Sequence, residues 1–186
     1  LQGIWFSGNP SVFSRETQKD LHHIWVEDCQ FKSTEESIAA TGSRCGWPLS
    51  LPWCKYVTVR NCLFQECIKF AALGSKAGPT VYHVQVEKCT FAHNWCESDT
   101  NVDGIVIDGP DHAADQDIMI RNCVSWGHGD AGYDIKLKAT IENCVAYENN
   151  WGYKIWANGT RLINCLAYNN VDCGFGLANA GQEAWN

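Results

Sequence analysis

Short segments of alternating apolar and polar residues recur along the chain, and polar turns separate them. The same frame occurs in four of them: HIWVEDCQF (residues 23–31), KYVTVRNCLF (55–64), VYHVQVEKCTF (81–91) and QDIMIRNCVSW (116–126). A period of two together with frequent β-branched residues predicts β-strands. Each segment is read as one strand that ends near a cysteine. A further short strand is predicted at residues 37–40, and another at 103–109.

The last third of the chain nearly repeats itself. ATIENCVAYENNWGYKIWANG (139–159) is followed directly by TRLINCLAYNNVDCGFGLANA (160–180). Six cysteines hold the same place in the repeat, at steps of 33, 27, 34, 21 and 21 residues: Cys29, Cys62, Cys89, Cys123, Cys144 and Cys165. Self-similarity at such a period indicates a solenoid. We therefore predict an all-β, right-handed parallel β-helix with about 21 residues per core coil and loop insertions in the longer coils.

This β-helix is expected to form a single domain over residues 1–186, either as a whole protein or as a segment of a longer chain. The cysteines of the repeat are predicted to be small, inward-facing corner residues that need no disulfide. The asparagines at repeated turns tolerate a left-handed backbone and are expected to hydrogen-bond along the stack.

A second ladder is predicted from a small residue followed by an apolar one. It aligns six tripeptides: Gly3-Ile4-Trp5, Cys67-Ile68-Lys69, Gly104-Ile105-Val106, Gly132-Tyr133-Asp134, Gly152-Tyr153-Lys154 and Gly174-Phe175-Gly176. Because side chains alternate along a strand, the residue after each glycine is expected to point inward and the next one outward. Asp134 and Lys154 should then be neighbours on the outer surface, about 5 Å apart at the backbone.

Composition narrows the class of protein. Hydrophobic residues make up 45% of the chain and charged residues 19%, which is typical of a folded domain. A net charge of -7 gives no basic surface for nucleic acid, and no apolar run reaches the roughly 20 residues of a membrane span. Five of the eleven cysteines lie off the ladder, and disulfides Cys45–Cys54 and, more weakly, Cys67–Cys96 are considered. There is no CxxC pair, so zinc is not expected.

The motifs GDAGYDIK (129–136) and, one coil later, NNWGYKIW (149–156) resemble elements of the β-helical pectate lyases of polysaccharide lyase family nine. The resemblance covers roughly residues 100–180. It implies that Lys154 is the base that removes the proton next to a uronate carboxylate, and that Asp103, Asp130 and Asp134 hold a calcium ion. Two departures are Ala131, where the family has a second aspartate, and Trp156-Ala157, where it has glycines.

Each of these residues also has a purely structural interpretation. Asp134 beside Lys154 is equally well explained as an ion pair across two coils, and Asp-Gly and Gly-Asp are common turn dipeptides. Three tryptophans near the ladder, Trp126, Trp151 and Trp156, present aromatic faces suited to sugar rings or simply cover coil corners. His22 and His23 are expected on opposite faces of a strand, with no metal spacing. Asn158 begins an Asn-Gly-Thr glycosylation sequon, which matters only in a secreted eukaryotic protein.

The leading functional hypothesis is a secreted or cell-surface lyase that cleaves an acidic polysaccharide by calcium-assisted β-elimination. The first alternative is a non-catalytic β-helix that binds glycans or serves as a structural module, since one aspartate of the family pattern is missing. The second is a protomer that associates head to tail through open solenoid ends, or continues into a longer chain.

Overall fold

The computed structural model describes residues 5–8, 12–13, 21–33, 48–52, 54–67, 71–74, 81–95, 101–110, 115–178 and 183–185. Its strands form three parallel sheets of seven strands, and the chain visits sheets A, B and C in turn in every coil. Sheet A contains β3 (Leu21–Glu27), β6 (Cys54–Arg60), β9 (Tyr82–Glu87), β12 (Asp115–Arg121), β15 (Lys138–Glu142), β18 (Arg161–Ile163) and β21 (Glu183–Trp185). Sheet B contains β1 (Trp5–Gly8), β4 (Gln30–Ser33), β7 (Leu63–Gln65), β10 (Thr90–Ala92), β13 (Val124–Trp126), β16 (Val145–Tyr147) and β19 (Leu166–Tyr168). Sheet C contains β2 (Val12–Phe13), β5 (Leu49–Leu51), β8 (Ala71–Leu73), β11 (Ile105–Ile107), β14 (Ala131–Ile135), β17 (Trp151–Ile155) and β20 (Cys173–Leu177). The predicted parallel β-helix is confirmed.

Each predicted Cys-containing strand is in fact two strands that meet at a tight corner. The residue before every ladder cysteine has a left-handed backbone with φ between 51° and 55°: Asp28, Asn61, Lys88, Asn122, Asn143 and Asn164. Four of these six residues are asparagines, which adopt this conformation more readily than most residues. The corner turns the chain from sheet A into sheet B, so reading these segments as single strands was wrong. The ladder thiols donate to backbone carbonyls, as Cys62 does to Arg60 at 3.2 Å.

The interior is filled by stacked side chains whose sizes compensate between sheets B and C. Phe31, Phe64 and Phe91 stack on one another from sheet B, with ring centroids 4.7 and 5.1 Å apart. In the following coils sheet B contributes only small inward residues such as Ser125 and Ala146. Sheet C then supplies the large ones, a stack of Tyr133, Tyr153 and Phe175 with centroids 4.8 and 5.0 Å apart.

A column of buried polar side chains joins the turns between sheets B and C. In it the backbone N–H of one coil donates to the side chain of the next: Cys67 to Asn94, Asn94 to His128, His128 to Asn149 and Asn149 to Asn170, each at 3.1 Å. The hydrogen bonding predicted along the stack is therefore confirmed. His128 takes an asparagine's place: its Nδ1 accepts from Asn94, and its Nε2–H donates to the Phe91 carbonyl at 3.2 Å. Complete burial lowers the pKa of His128 to about 3, so the ring is neutral.

The predicted sheet C ladder is confirmed for the later coils and wrong for the two earlier tripeptides. Ile105 pairs with Tyr133 on one side, but its partner on the other side is Ala71 rather than Ile68. Trp5 belongs to sheet B, where it pairs with Gln30. Gly3, Ile4, Ile68 and Lys69 lie outside the described residues, as does the strand predicted at 37–40. Loops of unequal length separate the early coils, which shifts the register away from simple motif alignment.

Neither considered disulfide is present among the described residues. Cys67 is a buried thiol whose sulfur donates to the Gln65 carbonyl at 3.5 Å. Its suggested partner Cys96 lies outside the described residues, as does Cys45, and the Cys54 side chain is not described either.

The prediction for His22 and His23 is wrong, because both side chains are exposed on the same side of β3. Their Nδ1 atoms are 2.8 Å apart. The cause is the left-handed backbone of His23, with φ of 57°, which interrupts the alternation of the strand.

Candidate functional site

Sheet C and the turns that enter it bring the predicted carboxylates and lysine together. Asp103 precedes β11 and Asp130 precedes β14, whereas Asp134 and Lys154 lie within β14 and β17. The predicted register is confirmed, since Asp134 pairs with Lys154 in the sheet.

Lys154 makes its ion pair with Asp130 rather than with the aspartate beside it in the sheet. Its Nζ is 2.5 and 2.6 Å from the two carboxylate oxygens of Asp130. The side chains of Lys154 and Asp130 are 21% and 12% exposed, so both partners are largely shielded from water. The Lys154 ammonium also lies 5.4 Å from the centroid of the Trp151 ring, a cation–π contact. A long lysine side chain reaches diagonally to the turn, which pairing in the sheet could not reveal.

Asp134 points to the outer side of sheet C, but it is covered rather than exposed. Only 5% of the residue is accessible to solvent. One of its oxygens accepts the Nε1–H of Trp156 at 2.7 Å, and the other is 3.2 Å from Nζ of Lys136. Burial is the largest effect on this carboxyl and raises its pKa above the ordinary value. Lys136 also pairs with Asp108 at 3.4 Å, so it bridges two carboxylates.

Asp103 is fully buried, and only one of its two carboxylate oxygens has a hydrogen-bond partner among the described residues. Its Oδ1 accepts the backbone N–H of Ala131 at 2.9 Å, while Oδ2 has no hydrogen-bond partner among the described residues. Burial, reinforced by the negative charges of Asp134 and Asp130, raises the pKa of Asp103 to about 8. At neutral pH this carboxyl therefore holds a proton, next to two aspartates that are paired with lysines.

Two of the three predicted tryptophans border this site. Trp151 and Trp156 line a cleft of about 390 Å³ together with Lys154 and Gly176. Gly176 is needed there because a Cβ at this position would lie 2.7 Å from the Trp151 ring. Trp156 is 41% exposed, so its ring is available to a ligand although its Nε1 is held by Asp134.

Trp126 is placed elsewhere. It lies in β13 of sheet B and stacks on Tyr147, with centroids 5.5 Å apart, so the structure does not join it to the other two tryptophans. Asn158 is exposed in the turn between β17 and β18, where its side chain is accessible.

Sequence reasoning missed Lys136 at the site and the place of His128 in the buried polar column. Lys136 follows Asp134 by two positions and therefore projects from the same face of the strand, a signal that was available. His128 precedes Asn149 by 21 residues and Asn149 precedes Asn170 by 21, so the repeat itself could have assigned His128 to the buried polar column.

The described residues contain no ready-made group of three or more His, Cys, Asp or Glu side chains around a single metal position. The donor chemistry nevertheless suits a hard cation, because Asp103, Asp130 and Asp134 offer only carboxylate oxygens and one buried oxygen of Asp103 lacks a partner. Two of these carboxylates form ion pairs in the protein, Asp130 with Lys154 and Asp134 with Lys136.

The comparisons with known proteins agree with the fold. Residues 26–185 match the family model described as the right-handed beta helix region, so the chain belongs to the right-handed β-helix family. No curated protein and no solved structure matches the chain significantly. Within the described part of the chain, no helix is long and apolar enough to cross a membrane.

Proposed function

We propose that this β-helix is a secreted lyase that cleaves an acidic polysaccharide by β-elimination, with Lys154 as the base. The observation that supports it best is the position of the Lys154 ammonium. It lines a tryptophan-bordered cleft and contacts Asp130, beside the buried carboxyls of Asp103 and Asp134. A lysine that lines a cleft and is paired with one of a group of carboxylates has surroundings suited to elimination from a uronate.

Calcium is the cofactor that this set of oxygens would hold. Asp103, Asp130 and Asp134 would be its protein ligands, and the ion would neutralise the uronate carboxylate of the substrate. Such an ion would also oppose the effects that raise the pKa of Asp103, which are its burial and the negative charges of Asp134 and Asp130.

The role of Lys154 follows from its surroundings. A lysine accepts a proton only in its neutral form, so Lys154 must give up both its proton and its ion pair with Asp130 before it acts as the base. It then removes the proton from the carbon next to the uronate carboxylate. A carbon–carbon double bond forms as the bond to the glycosidic oxygen breaks, and that oxygen takes up a proton from water as it leaves.

Trp151 and Trp156 would orient the sugar chain. Trp151 precedes Lys154 in the sequence and Trp156 follows it, and both tryptophans line the same cleft as Lys154. Aromatic rings pack well on the C–H faces of sugars. Trp156 is further fixed by its hydrogen bond to Asp134, which ties the position of a substrate-binding ring to that of a carboxylate.

Incubation with polygalacturonate, followed by ultraviolet absorbance of the unsaturated uronate product, tests this function. We expect calcium-dependent formation of product that a chelator stops and that Lys154→Ala abolishes. Lys55→Ala is the matched control, because Lys55 is exposed on sheet A and should leave the rate unchanged. A folded wild-type protein that yields no unsaturated product with or without calcium would contradict the proposal.

One observation favours the alternative, a glycan-binding module without activity. Both carboxylate oxygens of Asp130 are already engaged by Lys154, an arrangement that is stable as a structural ion pair. This alternative predicts retention on an acidic polysaccharide gel that survives Lys154→Ala, without product formation. Head-to-tail association stays a prediction, to be checked by light scattering across a concentration series.

A further inference from the structure

The exposed face of sheet A carries a repeated irregularity at its first strands. The backbone is left-handed at equivalent positions of four successive coils, with φ between 52° and 57°: His23, Tyr56, His83 and Asp117. Together with the residue directly before it in the same strand, each left-handed residue forms a pair: His22-His23, Lys55-Tyr56, Tyr82-His83 and Gln116-Asp117. Of these four pairs, the first alone consists of two imidazoles.

The left-handed residue brings the two imidazoles to the same side. In a regular strand neighbouring side chains point to opposite faces, but here the Nδ1 atoms of His22 and His23 are 2.8 Å apart. The ring of His23 is held in place by stacking on Tyr56, with centroids 4.8 Å apart and planes 10° apart. Two nitrogens this close share a single hydrogen bond, in which one ring donates and the other accepts.

We propose that His22 and His23 form a surface site for a copper(II) ion through their two Nδ1 atoms. Two ligand atoms at right angles around an ion, with bonds of about 2.0 Å, are separated by about 2.8 Å. This spacing equals the Nδ1–Nδ1 distance in the protein. A tetrahedral zinc ion would require about 3.3 Å between the same atoms. The pair therefore provides one edge of the tetragonal arrangement that copper(II) favours, and copper(II) also binds nitrogen ligands most strongly among the common divalent metals.

Binding changes the protonation of the two rings but not the oxidation state of the copper ion. On binding, the donor ring gives its Nδ1 proton to water and takes one up on Nε2, so both rings are neutral Nε2–H tautomers and both Nδ1 lone pairs are free to bind the ion. Water completes the coordination, because the site is exposed. The site lies on sheet A rather than on sheet C, so it is independent of the proposed lyase activity.

The test is a titration of the full chain, without a histidine tag, with copper(II) and then with zinc(II), followed by calorimetry. We expect one copper ion with high affinity and binding of zinc at least about tenfold weaker. His22→Gln and His23→Asn should each weaken copper binding by about tenfold or more, because each leaves a single imidazole. Asparagine is chosen at position 23 because it tolerates the left-handed backbone. His93→Asn, which removes an exposed imidazole outside the pair at another left-handed position, is the control and should bind copper normally.

A second measurement needs no substitution. Electron paramagnetic resonance of the copper-loaded wild type should show a tetragonal signal with hyperfine splitting from two imidazole nitrogens. Copper affinity unchanged in both His22→Gln and His23→Asn would overturn the proposal. So would zinc binding as tightly as copper, or a copper signal with one nitrogen ligand or none.

Discussion

Replacing Asp103 by asparagine should stabilise the protein at neutral pH, and increasingly so as the pH rises. Asp103 is fully buried, and burial beside Asp134 and Asp130 raises its pKa to about 8 from an ordinary value of 3.8. Asparagine keeps the oxygen that accepts the Ala131 N–H and has almost the same volume, but it has no charge to bury.

The magnitude follows from proton linkage. Between about pH 4 and pH 8 the folded protein holds a proton on Asp103 that the unfolded chain has lost, so the free energy of unfolding falls as the pH rises. Below that window both states are protonated and above it both are ionised, so this group contributes no further slope. One proton corresponds to about 1.4 kcal/mol per pH unit, or about 2.7 kcal/mol between pH 5 and pH 7.

Urea denaturation of calcium-free wild type and Asp103→Asn at pH 5, 6, 7 and 8 measures the effect as a difference between the two proteins. We expect the free energy of unfolding of Asp103→Asn to increase relative to that of the wild type by about 1 kcal/mol or more per pH unit, up to about pH 7. Asp172→Asn, a change at an exposed carboxylate, is the control. Its free energy of unfolding should change with pH in the same way as that of the wild type. Parallel curves for Asp103→Asn and wild type would refute the assignment of a buried, protonated Asp103.

Two further predictions concern contacts between successive coils, and urea denaturation at constant pH checks both. Gly152→Ala should cost about 1–3 kcal/mol, because a Cβ there would lie 2.4 Å from the Gly174 carbonyl oxygen. Gly174→Ala, in the same ladder but with no described atom nearer than 3.2 Å to its Cβ, should cost clearly less, and equal losses would contradict the close approach. Asn149→Ala should cost about 2–5 kcal/mol, since the buried N–H of His128 loses its acceptor and a buried carbonyl loses its donor. Asn150→Ala removes a hydrogen bond at the surface and should cost under about 1 kcal/mol; a larger loss than at Asn149 would speak against the buried column.

The fold could be predicted from sequence because the later coils have no long insertions. The cysteine step of 21 residues fixes the period there, and the alignment of Tyr133 with Tyr153 and Phe175 is correct. In the earlier coils, loops of different length separate the strands. A motif such as Cys67-Ile68 then resembles the ladder although the strand that pairs with Ile105 begins three residues further on, at Ala71.

The candidate site was predictable at the level of the backbone but not at that of side-chain partners. Sheet pairing places Lys154 beside Asp134, as expected. Which carboxylate receives the ammonium depends on side-chain length and on the competing partners Lys136 and Trp156, which already engage Asp134. Local backbone conformation is the second limit: a single left-handed residue at His23 reversed the expected direction of a side chain.

The central claim is that the polysaccharide chain is cleaved by elimination, rather than hydrolysed or only bound. Product analysis in water labelled with oxygen-18 tests it most directly. Polygalacturonate is digested with calcium present, and the oligosaccharides are weighed by mass spectrometry. Elimination predicts fragments that carry one unsaturated end, weigh one water less than hydrolysis products and contain no label, and that disappear with Lys154→Ala. Labelled, saturated fragments, or an intact polymer in the presence of folded protein, would contradict the account.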